Sequence, residues 1–127
     1  MLPTDRINRL THDIIGAGMR IHRRVGPGLL ESVYQRCFAW ELKDRQMRFV
    51  AQQWIPLAYG DVRIERCYKP DYLVEDLVVV EIKALDRLLP RHRAQTLTYL
   101  RLTGGKVGLV LNFNAAVMKE ANHASRE

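Results

Sequence analysis

The stretch Pro70-Asp71-Tyr72-Leu73-Val74-Glu75-Asp76-Leu77-Val78-Val79-Val80-Glu81-Ile82-Lys83 decides how this chain is read. Leu77 to Lys83 is a nearly continuous apolar run, the pattern of a strand buried on both faces of a sheet. Glu81 and Lys83 interrupt it at its C-terminal end. Residues two apart in a strand share a face, so these two side chains point one way while Val80 and Ile82 point the other. Ionised groups in so apolar a setting are costly unless paired or bound to something. Open α/β sheets bind ligands just outside the C-terminal ends of their strands, which is where this pair falls.

Asp71 belongs to a neighbouring, antiparallel strand. Two carboxylates about 4 Å apart at an effective dielectric near 20 repel by roughly 4 kcal/mol. A divalent cation converts that penalty into a binding site, and Mg²⁺ suits a pair of carboxylates plus waters. Whether Asp71 meets Glu81 depends on the turn between them. A two-residue loop at Glu75-Asp76 pairs Asp71 with Val80 and aims it away. A three-residue loop at Glu75–Leu77, a five-residue loop or a bulge pairs it with Glu81, and one of these is expected.

Upstream, Ile7, Leu10, Ile14, Ile15, Ile21 and Val25 recur at helical spacing behind Thr4, read as an N-cap. Gly16 and Gly18 within that helix suggest close approach of another backbone, and Gly26-Pro27-Gly28 ends it. A second helix is expected from about Leu30 to Arg45, with Val33, Tyr34, Cys37, Phe38 and Leu42 inward. Phe49 to Tyr59 reads as a strand that Pro56 confines to an edge or a bulge. Gly60-Asp61 signals a hairpin turn into a half-exposed partner strand, in which Val62 and Ile64 alternate with Arg63 and Glu65. Downstream, a helix from about Arg91 to Leu102 follows Pro90 and stops at Gly104-Gly105, and Val107 to Phe113 is a last buried strand. This order implies an α/β fold, a central mixed β-sheet flanked by α-helices, with the last helix crossing over between two parallel strands. The expected domain covers residues 1–113, and the polar tail 114–127 is expected to fray.

The composition agrees with a globular chain. Of 127 residues, 47% are hydrophobic and 27% charged, which excludes collagen-like, disordered and disulfide-scaffold classes. Cys37 and Cys67 lack metal-ligand spacing and read as reduced thiols. No apolar run is long enough for a membrane span and the N-terminus lacks an apolar signal core, so a cytoplasmic location without a membrane partner is expected. Fifteen Arg and five Lys against fourteen acidic residues give a net charge of +6. Polyanions are therefore the first partners to consider, and the guanidinium fork suits phosphate. Arg87, Arg91 and Arg93 surround the start of the helix after Pro90, where backbone N–H groups already favour phosphate.

Pro70-Asp71 followed by Glu81-Ile82-Lys83 resembles the signature of the PD-(D/E)XK nuclease superfamily. Gly28-Leu29-Leu30-Glu31-Ser32-Val33-Tyr34 resembles the motif of its GxxExxY branch. His92, Gln95, Tyr99, Leu100, Thr103-Gly104 and the closing Gly108-Leu109-Val110-Leu111-Asn112-Phe113 are also similar to that family's pattern. The resemblance runs from about Ile7 to Phe113 and implies a restriction-endonuclease-like fold. It implies that Asp71, Glu81 and the Ile82 carbonyl hold Mg²⁺, with Mn²⁺ as a substitute, and that Glu31 adds a carboxylate to the metal's shell. Lys83 would orient or activate the attacking water, and Gln95 would join the catalytic set. His92 and Tyr99, with the three arginines, would contact nucleic acid.

Two departures from the pattern stand out. Gln35 replaces a glutamate after the motif tyrosine, and Tyr68-Lys69-Pro70-Asp71 replaces Tyr-Arg-x-Asp. The expected activity is metal-dependent hydrolysis of phosphodiesters, in DNA rather than RNA, by a domain small enough to suggest a homodimer. The alternative is a catalytically weak nuclease-like domain that binds nucleic acid or protein. Retention of Asp71, Glu81 and Lys83 together favours the enzyme.

Overall fold

A computed structural model describes the backbone of residues 3–114 and 122–125, and the side chains of residues 5–114. In chain order its elements are α1 (Pro3–Val25), α2 (Glu31–Asp44), β1 (Phe49–Ala51), β2 (Ile55–Tyr59), β3 (Val62–Tyr68), β4 (Tyr72–Val74), β5 (Val78–Lys83), α3 (Pro90–Thr103), β6 (Val107–Asn112) and β7 (Asn122–Ser125). Five strands form a mixed sheet in the order β1-β4-β5-β6-β7, and β2 and β3 form a separate ribbon. β5 and β6 are parallel, joined by the α3 crossover, while the other pairs in the large sheet are antiparallel. This is the mixed-sheet α/β architecture of a restriction-endonuclease-like fold.

The apolar run decides where the sheet's centre lies. Val78, Val79, Val80 and Ile82 are fully buried because β5 has a strand on each side and helices over both faces. On one face, Val78, Val80 and Ile82 pack with Leu10, Ile14 and Ile21 of α1 and with Tyr34, Phe38 and Leu42 of α2. On the other, Val79 meets Tyr99 and Leu100 of α3. At roughly 2 kcal/mol for each fully buried aliphatic side chain, this layer dominates the stability of the domain.

Several details differ from the sequence reading. α1 begins at Pro3, so Thr4 lies in its first turn rather than capping it. Its stripe runs through Ala17, while Val25 is exposed. Gly16 faces open space where a Cβ would stand, so among the described residues no other backbone approaches it closely there. On α2, Val33 is exposed and Glu41 takes the inward place, paired with Arg20 at 3.7 Å and Arg45 at 3.4 Å. The segment from Phe49 to Tyr59 is two strands in two sheets, β1 and β2. Within the ribbon the register shifts between Ile55 and Leu57, at Pro56, which has no N–H to give the ladder. Of the tail expected to fray, 122–125 form a strand on β6, and residues 115–121 and 126–127 lie outside the described residues.

Candidate active site

The turn after β4 brings the two carboxylates together. Tyr72 pairs with Val80 and Val74 with Val78, so Asp71 falls opposite Glu81. The loop therefore has three residues, Glu75 to Leu77, the first of the arrangements that permit this pairing. Glu75 and Asp76 both adopt left-handed backbone (φ 53° and 58°), the conformation of a type I′ turn, closed by Leu77 N–H on the Val74 carbonyl at 2.9 Å. Leu77 is the additional residue. Its carbonyl leaves the hairpin and accepts from Lys106 N–H at 2.7 Å and Val107 N–H at 3.2 Å. The turn is held from outside by the Glu75 carboxylate, which accepts from Arg48 N–H and meets Arg6 of α1 at 3.2 Å.

The carboxylates then latch reciprocally onto each other's backbone. Glu81 accepts from Asp71 N–H at 2.7 Å, and Asp71 accepts from Ile82 N–H at 2.7 Å. Glu81 is 3% exposed. Burial, reinforced by the charge of Asp71, pushes its pKa up to about 8, against relief from the Asp71 N–H and Lys83. Burial also raises Asp71, opposed by the Ile82 N–H and the Lys83 charge. Lys83 lies on the same face as Glu81 and reaches Gln95 Oε1 at 3.5 Å, the long limit of a hydrogen bond. Tyr99, packed edge-on against Tyr68 at 5.9 Å, has its phenol pushed up to about 12 by burial and then by Glu81 and Asp71. β5 and α3 thus bring Glu81, Lys83, Gln95 and Tyr99 to one side of the sheet end, with Asp71 opposite Glu81.

Glu31 is the first residue of α2. Its charge bears on Asp71, Glu81 and His92, yet among the described residues no three His, Cys, Asp or Glu side chains form a metal-holding group. The structure therefore does not bring Glu31 into the carboxylate pair. Tyr34 explains how this helix end is fixed. Its buried ring stacks on Phe113 at 4.6 Å, and its hydroxyl donates to the Gly26 carbonyl at 2.6 Å while accepting from Leu29 N–H at 3.1 Å. Gly28, at φ 98°, supplies a turn that a side chain would strain.

Two groups escaped the sequence reading. Gln35 does not merely lack a carboxylate: its amide donates to Asp71 at 3.3 Å and its oxygen accepts from Gln52 Nε2 at 3.0 Å. Gln35 lies four residues after Glu31, on the same helix face, which is the signal that could have found it. Gln52 gave no such signal. It enters because its backbone N–H bonds the Asp71 carbonyl at 2.9 Å.

His92 is the other surprise. Its Nδ1 accepts from Leu89 N–H at 2.9 Å, capping α3 where no hydroxyl or carboxylate is available. That leaves Nε2 as the protonated nitrogen of the neutral ring. Burial, then Lys83 and Arg91, lowers its pKa. Arg87, in the loop after β5, and Arg91 and Arg93, in the first turn of α3, are exposed and form no ion pair among the described residues.

Hard oxygen donors on adjacent strands, crowded enough to resist ionisation, suit a divalent oxygen-seeking cation. Asp71 and Glu81 would hold it. The Ile82 carbonyl lies on the same strand edge as the N–H that bonds Asp71, because an extended residue presents both groups to one side.

A family model described as the PD-(D/E)XK nuclease superfamily matches residues 8–124. No curated protein and no solved structure matches the chain.

Proposed function

The chain belongs to the PD-(D/E)XK nuclease superfamily, and we propose that it is a Mg²⁺-dependent nuclease, with Mn²⁺ as a substitute, that hydrolyses phosphodiester bonds of DNA. The observation that carries the reading is the placement of Asp71 opposite Glu81, with Lys83 on the face of Glu81, at the C-terminal end of the buried central strand. Held by Asp71, Glu81 and the Ile82 carbonyl, a divalent cation would polarise a phosphoryl oxygen and lower the pKa of a bound water. The chain's own groups do the rest. Gln35 and the Ile82 N–H fix the Asp71 carboxylate, and the Asp71 N–H fixes Glu81.

Lys83 brings a positive charge to the place where negative charge develops on the phosphate, and Gln95 restrains its ammonium. It also orients the attacking water. His92 Nε2–H, Arg87, Arg91 and Arg93 supply donors for flanking phosphates, and the N-terminus of α3 adds its own field. Glu31 contributes a nearby negative charge that favours cation capture.

Incubation of purified protein with plasmid DNA, single-stranded DNA and RNA, in chelator and then in Mg²⁺ or Mn²⁺, tests this reading. Cleavage of DNA is expected only with metal and is expected to be lost in Asp71→Ala, Glu81→Ala and Lys83→Met. Equal cleavage by wild type and Glu81→Ala, or cleavage in chelator, would remove the mechanism. Metal-independent binding without cleavage would favour a nuclease-like binding module instead.

A further inference from the structure

The base of the β2–β3 ribbon carries a feature that metal-dependent hydrolysis does not use. Ile55 pairs with Tyr68, and the next pair outward in that register is Trp54 opposite Lys69. The Lys69 ammonium stands 5.0 Å from the centroid of the Trp54 ring, which is 43% exposed and has no aromatic neighbour among the described residues. The exposed part of a large ring beside a cation gives a flat group a surface to stack on, with a positive charge alongside for an anion.

Its position ties it to the site. Trp54 follows Gln52 by two residues, and Gln52 bonds both the Asp71 backbone and Gln35, the partner of the Asp71 carboxylate. Lys69 precedes Asp71 by two residues. Neighbours on a strand face opposite ways, so Lys69 points away from Tyr68, whose ring packs on Tyr99 of α3. Arg91 and Arg93 stand on α3, and the Trp54–Lys69 pair is tied to Asp71 through Gln52 on one strand and the two-residue step from Lys69 on the other.

We infer that Trp54 and Lys69 form a subsite for an unpaired nucleotide, the base stacking on the indole and the ammonium meeting the adjoining phosphate. A flat exposed ring beside a cation matches the way single strands are held, because every base offers a π-face whereas a paired and stacked base does not. The ring would be held ready by the cation–π contact. A single-stranded segment would then cross from the arginines of α3, over the carboxylates, to Trp54. The inference rests on the nuclease reading for the class of its ligand and names single-stranded nucleic acid as that ligand.

Binding is measured in chelator by fluorescence anisotropy, using labelled oligothymidylate and a blunt duplex of equal length. Wild type is expected to prefer the single strand. Trp54→Ala is expected to weaken single-strand binding about ten-fold, with duplex binding unchanged. Trp54→Phe is expected to retain most of the affinity, and Lys69→Ala to lower it and flatten its salt dependence. Trp40→Phe, at an exposed tryptophan on α2, is expected to behave as wild type. No single-strand binding by wild type, wild-type affinity in Trp54→Ala, or an equal loss toward both ligands would overturn the subsite. A parallel cleavage assay in Mg²⁺ separates the two readings, since Trp54-dependent binding stands whether or not phosphodiesters are cut.

Discussion

Glu81→Gln is expected to stabilise the metal-free protein while destroying its chemistry. In the native protein the Glu81 pKa rises from an ordinary 4.5 to about 8, through burial and then the charge of Asp71. Between these values the folded state binds more protons than the unfolded state, so stability falls as pH rises. The stabilising share is intact below pH 4.5 and lost once pH passes about 8. At about 1.4 kcal/mol per pH unit the whole shift has a ceiling near 5 kcal/mol, and sharing with Asp71 reduces what one substitution recovers to about 2–3 kcal/mol. The glutamine oxygen can still accept from Asp71 N–H, so the latch survives.

For a domain of this size the gain corresponds to about 10 °C in Tm. Thermal unfolding in chelator from pH 5 to pH 9 measures it. The variant's advantage is expected to be near zero at pH 5 and to grow to its full value by pH 9. A pH-independent difference, or a variant less stable than wild type at pH 9, would refute the argument that the apo site is held against its own charge. Lys83→Met should move Tm the other way at pH 9, because its ammonium relieves both carboxylates.

Gln35→Leu removes the amide from Asp71 and the acceptor from Gln52; cleavage is expected to fall by about ten-fold or more in a metal-saturated assay while Tm barely moves. Tyr34→Phe strands the Gly26 carbonyl and the Leu29 N–H, so urea unfolding should show a loss of about 1–3 kcal/mol at unchanged m-value. His92→Ala should lose a helix cap worth about 1 kcal/mol, and His92→Asn, which keeps an acceptor, should recover much of it. Because the folded His92 pKa is lowered, its cap contribution is present above pH 6.5 and lost as pH falls below it. Wild type should therefore lose stability relative to His92→Asn on acidification.

The strongly periodic parts of the chain were legible. The apolar run of β5, the stripes of α1 and α2 and the crossover into β6 follow from which residues can be buried together. Positions where the backbone turns left-handed without glycine were not. Gln52, at φ 51°, ends β1 and divides one expected strand between two sheets, and nothing in its side chain announces this. Glu75 and Asp76 do the same at the decisive turn, where a sequence search for Asn-Gly or Asp-Gly finds nothing. Glu75 is held there by distant partners, Arg6 and Arg48, which local propensity cannot register. The pairing of Asp71 with Glu81 was readable as a small set of alternatives, because side-chain alternation limits which loop lengths serve a shared site. The cap made by His92 was hidden for another reason: its residue type suggested phosphate contact, and only geometry shows Nδ1 already occupied.

The loop residue Leu77 has a consequence for how such motifs are recognised. Because Asp71 and Glu81 meet across a hairpin, the site requires them to stand equally far from the turn, and Tyr72–Val74 on one arm match Val78–Val80 on the other. Loss of one residue from a single arm, Leu73 for example, would leave Pro-Asp and Glu-x-Lys intact on paper, with Asp71 now opposite Val80, an apolar neighbour. A residue lost from or added to the turn itself, or one added to each arm, would change the gap and keep the carboxylates face to face. Among chains that retain all three signature residues, the position of the turn between the acids, rather than the count of residues separating them, therefore divides a site that can assemble from one that exists only as letters.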